Sequence, residues 1–158
     1  MKERGETPAL QQRRWATAAF CVWLCVVWGH SLMAGDMSSF ESSRFVFLVR
    51  PFFALFGNND EALMTFVIRK TAHFSEYAIL AALACNMAVA WFGESRRAWL
   101  LTIAIWLAAP CVDECIQLFV PDRAGMMTDV LLDMSGGLFG LALFFMVRKL
   151  RHDAEKKD

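Results

Sequence analysis

The segment Arg69-Lys70-Thr71-Ala72-His73-Phe74-Ser75-Glu76-Tyr77 places two bases, an imidazole, a carboxylate and a phenol in one short stretch. On a helix, residues 69, 73, 76 and 77 share a face. A second stretch carries Asp113, Glu114 and Gln117, then Pro121-Asp122-Arg123, with Asp113 and Gln117 one helical turn apart. A third opens on Thr128-Asp129 and reaches Asp133 one turn later. Arginine forks bind phosphate or carboxylate through paired hydrogen bonds. Carboxylates and imidazole can orient such bases, bind amines and hydroxyls, or exchange protons.

The elements that hold these groups follow from composition. The chain has 158 residues, 57% of them hydrophobic, including 14 Phe, 9 Met and 6 Trp. A globule of this size has too little interior to hide so much large apolar surface, and the apolar fraction excludes intrinsic disorder. Sixteen Lys+Arg balance sixteen Asp+Glu, which leaves no broad basic footprint for nucleic acid. The composition is that of a small integral membrane protein. Five cysteines, an odd number in apolar runs, read as small hydrophobes and not as a disulfide framework. The pairs Cys21/Cys25 and Cys111/Cys115 have no histidine at ligand spacing. No metal-ligand set is assigned and no cofactor is expected.

Four apolar segments approach the ~20 residues that cross a ~30 Å hydrocarbon layer. They run over about 15–34, 68–92, 98–120 and 128–147. The first follows a polar start and precedes three more, so it reads as a retained span and not a cleaved leader. Of the 16 Lys and Arg, 11 fall in the N-terminal tail, the 93–97 loop and the tail from Arg148 onward. The positive-inside rule then puts both termini in the cytoplasm. The expected fold is all-α: four transmembrane helices, with 15–147 as one domain between cytoplasmic tails 1–14 and 148–158. The apolar stretch 45–56 is too short to span. Pro51 disfavours helical geometry at Arg50, so the stretch reads as interfacial or re-entrant on the outer leaflet.

This orientation brings the charged ends of spans two, three and four to the outer face. The uninterrupted apolar part of span two, 78–92, covers only about 22 Å at ~1.5 Å per residue. The turns bearing His73, Glu76, Asp113, Glu114 and Asp133 must therefore lie inside the outer leaflet. There, Glu76, Asp113, Glu114, Asp129 and Asp133 face three cations, Arg69, Lys70 and Arg123. A protonated carboxyl, a cationic His73 or a bound cation would restore balance. Pro110 frees the Trp106 carbonyl from its helical bond, and Gly136 and Gly140 form a G-x-x-x-G close-packing pattern. A structural alternative makes Arg69, Glu76, Glu114 and Arg123 an ion-pair lock. Buried pairs are poor stabilisers, and intramembrane charges more often mark function.

These residues together resemble the VanZ-like family of bacterial membrane proteins. The resemblance rests on Arg69–Tyr77, on 113–125, and on Thr128-Asp129-Val130 with Asp133 and 136–140. A serine-rich stretch from Ser31 to Ser43 adds to it. It covers roughly residues 28–147, with one departure: family members usually carry Asn where Asp133 stands. The resemblance implies the cytoplasmic (inner) membrane of a bacterium and a role in low-level teicoplanin resistance. The expected activity is non-catalytic binding of a membrane lipid headgroup, a lipid-linked cell-wall precursor or the glycopeptide itself. The expected binding residues are Arg69, Lys70, His73, Glu76, Tyr77, Asp113, Glu114, Gln117, Arg123, Asp129 and Asp133. The alternative is an intramembrane enzyme on a lipid-linked substrate, with His73, Glu76 and Glu114 as acid/base groups or with metal assistance. No nucleophile motif supports it: Ser75 points away from His73 on a helix.

Overall fold

A computed structural model describes residues 7–156. The described residues form six helices: α1 (Pro8–Ser31), α2 (Gly35–Ser43), α3 (Val46–Leu55), α4 (Glu61–Phe92), α5 (Arg96–Gln117) and α6 (Met127–Glu155). Three of them, α4, α5 and α6, are long and apolar enough to cross a membrane. A fourth span results if α1 and α2, bent by 106° at 32–34, are taken as one. Side chains that a soluble protein would bury face outward, among them Phe119, Phe47 and Trp99; lipid is the solvent that suits them. Of the expected tails, residues 8–14 and 148–155 continue α1 and α6 as helix. Lys2, Arg4 and Lys157, counted in the charge argument, lie outside the described residues.

Helix α4 is the axis of the molecule, in contact with each of the other five. Its start is fixed by Asp60, whose Oδ1 accepts from the Ala62 and Leu63 amides at 2.9 and 3.1 Å, a capping arrangement that satisfies otherwise orphan donors. At 32 residues it is about 48 Å long, so its first turns, 61–67, extend beyond the stretch 68–92 that the sequence marks as a span. Its apolar face meets α1 and α5 around Phe20, Val27, Tyr77, Leu80, Ala84 and Ala109.

The α4–α6 contact is made by backbone. A Cβ at Gly136 would overlap the Phe74 carbonyl oxygen, and one at Gly140 the Ala78 carbonyl oxygen. Gly137 lies against the Trp106 indole, whose N–H donates to the Met134 carbonyl at 2.9 Å. The G-x-x-x-G pattern thus acts between helices of one chain.

Two local expectations are corrected. Residues 46–55 form a helix despite Pro51. Pro51 forfeits one internal bond, while Val46 is buried at the helix start and Arg50 forms an exposed ion pair with Glu61 at the head of α4. Of the five free cysteines, only Cys85 is buried; Cys21, Cys25, Cys111 and Cys115 sit on exposed helix surfaces.

Candidate functional site

At the end where α4 begins and α5 closes, a cavity of about 590 Å³ opens. Arg69, Lys70 and His73 come to it from α4, Gln117 from α5, Asp122 and Arg123 from the connection, and Asp129 from α6. A larger cavity of about 700 Å³ lies toward the other end of α4 and α6. Apolar residues such as Ile79, Leu143 and Phe144 dominate its lining, beside Arg148 and Arg151 and with no acidic residue or histidine among the described lining residues.

The three cations of the first cavity are held differently. Lys70 Nζ lies 2.5 Å from Asp129 Oδ1, both side chains mostly buried. Arg123 donates through Nε to the Met33 carbonyl at 3.1 Å and through Nη2 to the His30 carbonyl at 3.3 Å. It thereby ties the α5–α6 connection to the bend after α1. The same connection touches the bend again where the Gly35 amide donates to the Pro121 carbonyl at 3.2 Å. Burial, and next the nearby Arg69, push the Arg123 guanidinium below its ordinary value, though it stays charged at neutral pH. Arg69 is half-buried in the cavity wall and makes no ion pair among the described residues.

Beneath the cations lies an acidic layer. Asp113 is fully buried; its Oδ1 accepts from the Ser31 hydroxyl and its Oδ2 from Gln117 Nε2 at 3.1 Å. Glu114 Oε2 accepts from the Met126 amide at 2.7 Å, and its Oε1 from Gln117 Nε2 at 3.3 Å. This places a carboxylate at the positive end of α6, where the peptide dipoles favour it. Asp133 is fully buried beside His73, whose Nδ1 lies 3.9 Å from Asp133 Oδ1. Glu76 turns toward α1, its Oε1 accepting from His30 Nδ1 at 2.7 Å. Tyr77 is packed in the core and donates to the Ala109 carbonyl at 3.3 Å, next to Pro110.

The predicted site residues therefore divide into groups. Arg69, Lys70, His73, Gln117, Arg123 and Asp129 line the cavity; Asp113, Glu114 and Asp133 are buried in the acidic layer; Glu76 and Tyr77 bind other elements. The lock of Arg69, Glu76, Glu114 and Arg123 is not formed, because those acids take His30, a backbone amide and Gln117 while Arg123 takes carbonyls. Asp122, His30 and Ser31 belong to the same end of the molecule. The signal for the last two was available: His30-Ser31 is the only polar pair at the close of an otherwise apolar segment.

Residues 16–148 match the VanZ/LLP1 family. The chain belongs to the VanZ/LLP1 family. No curated protein and no solved structure matches it. In this VanZ/LLP1 chain the three motif segments that carry the resemblance come together at one end of the helix bundle, with the serine-rich bend closing over them through Arg123 and Ser31.

The acidic layer also makes a stability prediction. Glu114→Ala removes the acceptor of the Met126 amide, a partly buried bond, and one acceptor of buried Gln117. A loss of about 1–3 kcal/mol is expected, read as a lower unfolding midpoint in detergent. Glu114→Gln, which keeps an acceptor oxygen, should recover part of it.

Proposed function

We propose that this VanZ/LLP1 protein binds a phosphate-bearing lipid headgroup, or the equivalent group of a lipid-linked cell-wall precursor, in the cavity under Arg69, Lys70 and Arg123, and that this binding contributes to teicoplanin-type resistance. The observation that carries the reading is the convergence of three cations on one cavity whose lining acids, among the described residues, are Asp122 and Asp129 alone. Lys70 is matched by Asp129, which leaves Arg69 available for a doubly hydrogen-bonded anion. The exposed apolar flanks, such as Phe66, Leu118 and Phe119, suit an acyl or prenyl chain.

The proposed orientation puts the cavity at the outer leaflet of the bacterial cytoplasmic membrane, with both termini inside. It is supported by the far end of the bundle, where Arg13 donates to the Ala90 carbonyl at 3.0 Å and Arg148 pairs with Glu94 at 2.5 Å; basic residues from separate segments gather there. In a cysteine-free chain, Asp122→Cys is expected to react with a membrane-impermeant maleimide in intact cells, and Glu94→Cys only after lysis. The opposite pattern inverts the orientation.

A second reading, acid/base or metal-assisted chemistry on a lipid-linked substrate, is favoured by one observation: His73 reaches the cavity while its Nδ1 faces buried Asp133. Expression of the wild-type chain is expected to raise the teicoplanin concentration that arrests growth, and Arg69→Ala at equal membrane level to cancel the gain. Unchanged protection in Arg69→Ala overturns the binding reading. New lipid or precursor species in wild-type extracts, lost in His73→Ala, would favour the enzyme.

A further inference from the structure

Below the cavity, three helices bring together side chains that the hydrogen-bond network satisfies only in part. His73 of α4, Asp113 of α5 and Asp133 of α6 each offer a ligand atom, and these atoms lie within 4.8 Å of one another. Asp113 and Asp133 have no exposed surface. Both carboxylate oxygens of Asp133, and Nδ1 of His73, are buried without a hydrogen-bond partner among the described residues. No lysine or arginine among the described residues pairs with either aspartate. An unpaired carboxylate is the most expensive group to bury, and here two share one pocket.

We propose that His73, Asp113 and Asp133 form a binding site for one divalent cation of the zinc or manganese class. The donor set selects the class: imidazole suits zinc and its first-row neighbours, whereas sites for magnesium and calcium are built from oxygen alone. The dimensions fit. Bonds of about 2.0–2.2 Å hold ligand atoms ~3–4 Å apart around one ion, and His73 Nδ1 and Asp133 Oδ1 are 3.9 Å apart; closing the widest separation requires side-chain shifts of about an ångström. The surroundings are those of a metal ligand too. Ser31 and Gln117 each donate to one oxygen of Asp113, and the Tyr77 hydroxyl lies within hydrogen-bonding reach of it, which fixes its orientation and still leaves lone-pair capacity on the carboxylate. A divalent charge neutralises the two aspartates. His73 both lines the cavity and belongs to this triad, so the ion sits on the cavity floor whatever occupies the cavity above. The inference stands independently of the lipid reading.

The test is metal content of the full-length purified protein after incubation with Zn²⁺ or Mn²⁺ and gel filtration. Zn²⁺ is used with Cys21, Cys25, Cys111 and Cys115 replaced by serine, which removes exposed thiol ligands; Mn²⁺ is used with the native chain. About one ion per chain is expected to be retained, with a raised unfolding temperature. Asp133→Asn and His73→Asn should reduce retention to background. Ser31→Ala, which removes no ligand, should weaken affinity by roughly tenfold or more, and it keeps the test decisive if a ligand variant does not fold. A wild-type chain that retains neither ion overturns the proposal, as do equal retention by wild type and Asp133→Asn or an unchanged affinity in Ser31→Ala.

Discussion

Replacing Gly140 by alanine is expected to cost about 2–3 kcal/mol or more, the range for forcing extra atoms into a packed contact, and to deplete folded protein in the membrane. The added methyl group would occupy the space of the Ala78 carbonyl oxygen. That atom belongs to the α4 backbone and has no rotamer to escape into. The helices must therefore separate, and with them the contacts that bring α6 to the site: Asp129 to Lys70 and Asp133 to His73. The same reasoning applies to Gly136, against the Phe74 carbonyl. Gly29 is the internal control. It lies in α1 with nothing within 4 Å of an added Cβ, so Gly29→Ala should be neutral or gain up to ~1 kcal/mol from helix propensity. The comparison is read as unfolding midpoints in one detergent. Equal effects at Gly29 and Gly140 would mean that the α4–α6 approach is not backbone-limited.

The second large effect is expected at Arg69. Substitutions at Arg123 disturb the bend after α1, and those at Lys70 expose Asp129 to an unpaired state, so both mix binding with folding. Arg69 lines the cavity without an ion pair among the described residues and separates the two. Arg69→Gln should weaken binding of a lipid phosphate by 2–5 kcal/mol, roughly 30-fold or more, the scale for truncating one member of a hydrogen-bonded charge pair. Arg69→Glu should abolish binding, since it adds repulsion near Asp129 and Asp122. Neither substitution should lower the unfolding free energy by more than about 0.5 kcal/mol, as expected for a residue outside the packed network. An unfolding defect equal to that of Glu114→Ala would assign Arg69 to structure.

Much of this arrangement is legible in the residues. The apolar runs locate the long helices. The interruption of those runs by Arg69–Tyr77, Asp113–Gln117 and Asp129–Asp133 locates the charged end, because ionisable groups in lipid must turn toward one another. The spacing of Gly136 and Gly140 marks a close contact. Which helix they meet is another matter: it depends on the α4 backbone at Phe74 and Ala78, residues with no polar signature. Pairing is also hidden. Glu76 shares a helical face with His73, yet its partner is His30 of α1, because that face wraps between two neighbours. Arg123 invites an acidic partner by charge, but the structure gives it two carbonyls where α1 ends: that of Met33 and that of His30, which also accepts from the Met33 amide. Pro51 reads as a helix breaker, yet the helix continues through it at the loss of one hydrogen bond, with Val46 buried at its start. Propensity and charge identify the groups, and tertiary contacts select among their partners.

The most direct measurement compares two ligands that differ only in the group the cavity is built to hold: farnesyl phosphate and farnesol, titrated into the purified wild-type protein in a neutral detergent. The cation cavity predicts saturable binding of farnesyl phosphate, weakened by added salt, with farnesol bound at least roughly tenfold less tightly, as expected when a charge-assisted hydrogen bond of about 1.5–3 kcal/mol is lost. Equal affinity for the alcohol and the phosphate, or phosphate binding that persists in Arg69→Glu, would contradict the assignment of this cavity as an anion site.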